Sequence, residues 1–273
     1  KYFENVDNVS FDWVAKTIGE IKIDYKKEIS ADELKQAVKD MRTQLGSALN
    51  AVYSMRGGKE GSPPQAHAYQ FAYNLGPDSY VQYFCVPHSD FPYANFTLRS
   101  TYDLCKGSIG GPNVGFSRMK YDMAPTLNAE KIDDMPEIKA IYLTLFNYAA
   151  IENVDLFGPL TYYDNKGNFE GSSFEYDRVK DIYYQVKADI DAAIECFKYY
   201  KDHRSEAYKK QIESTIRTRV QLLSLEYADA SDLSVWIRFA NSLKLRMAIH
   251  MSKVEPATAK QWAEEAVAGG VIE

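Results

Sequence analysis

A stretch rich in aromatic side chains and almost free of charge is the first candidate for a binding site. Ten aromatic residues fall between Tyr69 and Tyr102, and no lysine or arginine occurs from Tyr69 to Leu98. Aromatic rings pack on the C–H faces of sugars, while hydroxyl and amide groups supply hydrogen bonds. The pattern favours ligand stacking, with core packing as the alternative for any single ring. Residue type and loop position select these candidates for ligand binding: Tyr80, Tyr83, Phe91, Tyr93, Asn95, Arg118 and Tyr121.

A second stretch, DNKGNFEGSSFE from Asp164 to Glu175, is similar to a calcium-binding loop. Asp, Asn and Glu stand at its first, fifth and twelfth positions. However, Lys166 occupies a ligand position, and Phe169 stands where such a loop requires glycine. The stretch is better explained as a turn that ends in a capping box of Ser172 and Glu175.

The sequence contains no clear set of catalytic residues. The four histidines lack the spacing of a zinc site, so no metal or cofactor is predicted. Asp133, Asp134, Glu152 and Asp155 could pair for glycoside hydrolysis, but the first two are better placed to cap a helix. A binding protein is therefore favoured over an enzyme.

Composition excludes several classes of protein. The 273 residues are 45% hydrophobic, which suffices for a large core, and the net charge of -6 argues against nucleic-acid binding. No apolar run reaches the roughly 18 residues of a membrane span. The three widely spaced cysteines predict no disulfide framework.

Most of the chain outside the aromatic stretch shows the periodicity of α-helices, and these helices would position the binding site. The capping-box pair Ser30 and Glu33 begins a helix that ends at Gly57, and Pro136 begins the next helix behind Asp133 and Asp134. The Trp236 helix carries two apolar faces, which is typical of an inner layer. The predicted helices of the second half are 136–154, 174–200, 206–228, 235–252 and 257–268.

These helices predict an all-α fold in which tetratricopeptide-like pairs form an α-solenoid scaffold over 134–268. Residues 59–133 are rich in turn residues and predict a long, irregular insertion that binds the ligand. The whole chain, 1–273, is read as one domain.

Four motifs in the same order resemble the SusD/RagB-like family. They are WIRFANSLKLRMAIHMS, the helix pattern DIYYQVKADIDAAIECF, the helix exit DLFGPL, and YQFAYNLGPDSYVQYF. The last is similar to one SusD-like branch. The resemblance covers about residues 65–268 and implies the N-terminal part of a longer protein.

The resemblance implies a lipoprotein at the outer-membrane surface of Bacteroidetes-type bacteria. Such proteins capture oligosaccharides for a SusC-like TonB-dependent transporter and carry no catalytic activity. The implied membrane contact is an N-terminal lipid anchor, which this chain does not contain. The scaffold helices are expected to face the transporter.

Three alternatives stay open at this point. A RagB-like protein would capture peptides instead of glycans. A tetratricopeptide-type scaffold would bind a protein partner in a helical groove and use the aromatic segment only for packing. An all-α glycoside hydrolase would need two carboxylates at catalytic separation in an aromatic cleft.

Overall fold

A computed structural model describes residues 19–46, 119–171, 173–219 and 233–272 of the chain. Short helical turns at Met119–Met123 (a π-helix) and Glu130–Asp134 (a 3-10 helix) lie around α2. The α-helices are α1 (Ala31–Asp40), α2 (Ala124–Leu127), α3 (Pro136–Phe157), α4 (Tyr162–Lys166), α5 (Val179–His203), α6 (Glu206–Arg219), α7 (Ser234–Met251) and α8 (Pro256–Ala268). The prediction of an all-α fold is confirmed for these residues.

Local capping signals explain several helix ends. The Ser30 hydroxyl accepts from the Glu33 N–H, and the Glu33 carboxylate accepts from the Ser30 N–H at 2.8 Å, so the predicted capping box begins α1. Proline stands in the first turn of both α3 and α8. Gly158, with φ of 82°, ends α3 in the left-handed region that glycine tolerates.

Two predicted caps are wrong. Asp133 and Asp134 do not cap α3; their carboxylates bind the ammonium groups of Lys139 at 2.5 Å and Lys27 at 2.6 Å. The helix predicted from residue 174 begins only at Val179, because the Glu175 N–H donates to the Asp164 carboxylate at 3.0 Å. The Glu175 N–H is thus bound by an acceptor 11 residues earlier in the chain.

Helix α3 is the centre of the described core. Every residue from Met135 to Asn147 is buried, which is typical of a helix covered on all sides. α3 packs on α5, α5 packs on α7, and α7 packs on α8. The inner position expected for the Trp236 helix therefore belongs to α3, since Ile249 on the second face of α7 is 61% exposed.

A buried ionic network around Glu137 and Arg204 joins several helices. Arg204, after α5, donates to Glu137 of α3 at 2.9 Å and to the carbonyls of Lys27 and Tyr25 at 2.9 and 3.1 Å. The Tyr208 hydroxyl of α6 donates to the same glutamate at 2.6 Å. This network fixes the segment before α1 against the ends of α3 and α5.

None of the helices in the described part of the chain is long and apolar enough to cross a membrane.

Candidate ligand-binding surface

Of the seven predicted ligand residues, Tyr121 falls within the described part of the chain. It lies on the π-helix Met119–Met123, and its side chain is 70% exposed. The other six lie outside the described residues: Tyr80, Tyr83, Phe91, Tyr93, Asn95 and Arg118. The site is therefore built from Tyr121 and its surroundings.

A lysine and two phenylalanines accompany the exposed tyrosine. The Lys120 ammonium lies 5.4 Å from the centroid of the Tyr121 ring and 4.3 Å from that of Phe174. Phe174 packs edge-on against Phe169, with centroids 5.6 Å apart. We call these four residues the Lys120 surface. It combines aromatic rings with one cation, the geometry of a cation–π contact.

The turn from Gly167 to Asp177 holds the two phenylalanines in place. The Phe169 N–H donates to the Asp164 carbonyl at 2.9 Å, and the buried Asp164 carboxylate accepts from Glu175 at the far side of the turn. A Cβ on Gly171 would lie 1.9 Å from the Phe169 ring, so glycine lets this ring fold over the backbone. The turn closes where Leu160 and Asp177 form an antiparallel bridge.

A buried ion pair anchors this turn from below. Lys166, the last residue of α4, donates to the Asp189 carboxylate of α5, and both side chains are buried. Asn147 donates to the same oxygen at 2.9 Å, and the Tyr162 hydroxyl donates to Asn147 Oδ1 at 2.7 Å. Burial lowers the pKa of the Lys166 ammonium, and the Asp189 charge opposes that effect.

The stretch from Asp164 to Glu175, which is similar to a calcium-binding loop, thus holds the rings of Phe169 and Phe174. Asp164 is occupied by the backbone of Glu175, and Lys166 is occupied by Asp189. The side chains that sequence reasoning missed are Lys120, Phe169 and Phe174. A signal was present in Phe169, the large apolar residue where a calcium loop needs glycine.

A separate apolar groove lies where the start of α5 meets the end of α7. Its volume is about 340 Å³, and Val179, Tyr184, Met251 and Val254 form much of its wall. At its edge Tyr184 donates to Glu255 at 2.6 Å, and its ring packs on Trp262 of α8 at 5.2 Å. This groove belongs to the helical scaffold.

The carboxylates considered for hydrolysis have structural partners. Asp155 binds Arg246 at 3.1 Å and His250 at 2.9 Å, and it accepts a 2.5 Å hydrogen bond from Tyr183. Burial of the tyrosine raises the pKa of Tyr183, and the hydrogen bond to the Asp155 carboxylate raises it further. With Asp133 and Asp134 also paired, three of the four predicted carboxylates hold helices together.

Metal and thiol chemistry have little support in the described ranges. No group of three or more histidine, cysteine, aspartate or glutamate side chains there could hold a metal ion. Cys196 is buried, and burial raises the pKa of its thiol well above the usual range, which makes it a poor nucleophile. The Lys120 surface presents aromatic rings and a cation, which suit non-covalent ligand contacts.

Comparisons with known proteins agree on one family. The family model described as "SusD-like: Susd and RagB outer membrane lipoprotein" matches residues 22–273. A search of the curated proteins found no match.

Solved structures give the same picture of the fold. A SusD-like protein from Bacteroides thetaiotaomicron VPI-5482 is 22% identical, with a TM-score of 0.56, and the match covers 84% of this chain and 42% of that one. A susD homolog from Bacteroides vulgatus ATCC 8482 is 20% identical, with a TM-score of 0.58 and coverage of 86% and 44%. The chain therefore spans less than half the length of these structures.

Proposed function

We propose a nutrient-capture function from one premise: this chain belongs to the SusD-like family of outer-membrane lipoproteins. The resemblance found in its motifs is thereby confirmed, as is an outer-membrane location at the level of the family. Members of this family are binding proteins. Carbohydrate binding and nutrient uptake fit this family. The exposed aromatic surface at Lys120 and Tyr121 supports the same function.

The ligand that we propose is an oligosaccharide, bound by ring stacking and hydrogen bonds without cleavage. The observation that carries this proposal is the exposed Tyr121 ring, which lies beside Lys120, itself in contact with the Phe169–Phe174 pair. An exposed aromatic ring supported by other rings is a rigid stacking surface that loses little entropy on binding. We propose that Tyr80, Tyr83, Phe91, Tyr93, Asn95 and Arg118 complete this site.

We further propose that the captured oligosaccharide passes to a SusC-like TonB-dependent transporter. In this arrangement the helices from 134 to 268, as tetratricopeptide-like pairs, face the transporter. The 59–133 insertion then presents the ligand site. The carboxylates of Asp133, Asp134 and Asp155, which were considered for hydrolysis, pair with cations of the scaffold. This pairing favours capture over catalysis.

A binding screen of the full-length protein against oligosaccharides tests this function. Calorimetry should show intact oligosaccharide bound, with binding lost in the Tyr80→Ala/Tyr93→Ala double variant. Tyr121→Ala should weaken binding about 10-fold, since covering about 60 Å² of apolar ring surface contributes about 1.5 kcal/mol. Tyr184→Ala is the matched control, because that tyrosine packs on Trp262 in the scaffold.

Other outcomes would contradict the proposal in different ways. Cleavage products would indicate a hydrolase. Binding of peptides alone would indicate RagB-like capture. A protein partner that is insensitive to the Tyr80/Tyr93 and Tyr121 substitutions would indicate a helical interaction scaffold.

A further inference from the structure

We infer that the Lys120 surface selects an acidic oligosaccharide, one that carries a carboxylate or sulfate group on the sugar ring stacked at Tyr121. The inference rests on the proposed function, and it adds the charge of the ligand to it. Three features of the described residues carry it: the position of the ammonium group, its lack of a carboxylate partner, and the rings beneath it.

The position of Lys120 places a positive charge where a stacked sugar would end. Its nitrogen lies within 5.4 Å of the centroid of the exposed Tyr121 ring, and a pyranose ring is about as wide as that distance. A sugar that packs on Tyr121 from the side of the ammonium can direct a charged substituent toward it. A neutral hydroxyl in the same place gains a weaker, uncharged contact.

The ammonium group is available for this contact. No carboxylate among the described residues forms an ion pair with Lys120, whereas Lys139, Lys166 and Lys244 each bind an aspartate. Within the described part of the chain, its contacts are with two aromatic rings, which attract the cation but accept no conventional hydrogen bond from its N–H groups. A ligand anion would supply the missing acceptor.

The aromatic rings next to the Lys120 ammonium strengthen its attraction for an anion. Lys120 is half-buried against Phe174, which itself packs on Phe169, so part of its hydration shell is replaced by apolar surface. Charge–charge attraction is stronger where water is partly excluded. The net charge of this chain is -6, and a local cation offsets the repulsion that these charges exert on an acidic ligand.

A plain structural role for Lys120 is the competing explanation. Its aliphatic stem would then cover Phe174 while the charge only faces water. This role predicts no preference between charged and neutral ligands. The two explanations therefore differ in a property that can be measured.

The experiment compares acidic oligosaccharides with their neutral counterparts by calorimetry on the full-length protein. The probes are oligogalacturonates with their carboxyl-reduced forms, and sulfated chondroitin oligosaccharides with their desulfated forms. We expect one acidic probe to bind about 5- to 10-fold more tightly than its neutral form, a value between an exposed ion pair and a charge-assisted hydrogen bond. The preference should weaken as salt is added.

Substitutions of Lys120 test whether this residue causes the preference for the acidic form. Lys120→Gln should abolish the difference between the two forms, and Lys120→Arg should keep it. The control is Lys26→Gln, which removes another lysine placed over a tyrosine ring, at 5.9 Å from Tyr25. Tyr25 packs on Tyr199 near the end of α5, so about 30 Å of helix separates it from Phe174. This control should keep the full preference.

Each result has one meaning. Equal binding of the two forms, or a preference that survives in Lys120→Gln, overturns the inference and leaves oligosaccharide capture intact. Binding of neutral glycans with none of the acidic probes also overturns it. Binding of an acidic peptide in place of every glycan, or no glycan binding at all, overturns the proposed function as well.

Discussion

Removal of the Lys166 ammonium should destabilise the protein strongly, because it leaves the Asp189 carboxylate buried without its cation. We consider Lys166→Met, which keeps the length and apolar stem of the side chain. Both members of the pair are almost fully buried, at 0% and 4% side-chain exposure. Breaking a buried pair in this way costs about 3–5 kcal/mol.

The structure narrows this range. Asn147 and Gln185 go on donating to the two oxygens of Asp189 after Lys166 is removed. Neutral donors compensate part of the lost charge, so we expect about 3 kcal/mol. A domain has a stability of about 5–15 kcal/mol, and the variant should therefore still fold.

Urea denaturation followed by far-UV circular dichroism measures this loss, provided that the denaturant slope is unchanged. Lys180→Met is the control, since it breaks an exposed pair with Glu255 at 2.5 Å, where Lys180 is 63% exposed. Exposed pairs contribute at most about 1 kcal/mol. The double variant Lys166→Met/Asp189→Asn removes both charges and should lose less than the sum of the single variants. A loss from Lys166→Met no larger than that from Lys180→Met, or strict additivity in the double variant, would refute the reasoning.

Three further predictions concern other contacts of the structure. The Ser30 N–H and hydroxyl lower the pKa of Glu33 below its ordinary 4.5, so their contribution to α1 is complete above that pH and is lost as the pH falls through the lowered value. Hydrogen exchange of α1 amides should show this loss, and Glu33→Gln should remove the pH dependence. Arg204→Met should cost about 3–5 kcal/mol in chemical denaturation, and Arg204→Lys should recover only part of it, because lysine cannot reach Glu137 and two carbonyls with one planar group. Gly269→Ala should cost about 1–3 kcal/mol, since its Cβ would lie 2.5 Å from the Asn241 amide nitrogen. Gly46→Ala, with open space at its Cβ, is the control, and Asn241→Ala should relieve the Gly269→Ala variant; a thermal melt that ranks the two glycine variants equally would contradict this explanation.

Helix positions could be predicted wherever the end signals are local. Pro256 and Gly269 frame α8, and the predicted start differs from the observed one by a single residue. The predicted start of α3 at Pro136 coincides with the observed one. These ends depend on groups within one helical turn, which a single sequence displays directly.

The start of α5 could not be predicted because its determinant is distant in sequence. Ser172 and Glu175 match the capping-box pattern, but the Glu175 N–H is bound by Asp164, 11 residues earlier. The short helix α4, which presents both Asp164 and Lys166, was missing from the predicted elements. Without it, nothing in the sequence pattern indicates that these two side chains are already bound within the fold.

The candidate site shows the same limit more strongly. Tyr121 was chosen on residue type and loop position, and these say nothing about Phe174, which lies more than 50 residues further along the chain. The contact between Lys120 and Phe174 exists because α4 and its ion pair hold the Gly167–Asp177 turn beside the π-helix. The helices that carry the family motifs must pack against one another, and few sequences satisfy that packing. Their motifs therefore identify the family. The ligand surface depends on turns that this packing only supports, so its charge and rings can differ while the scaffold stays the same. The choice of ligand in this protein should therefore follow from Lys120 and its aromatic neighbours, and substitutions there should change specificity without unfolding the helices.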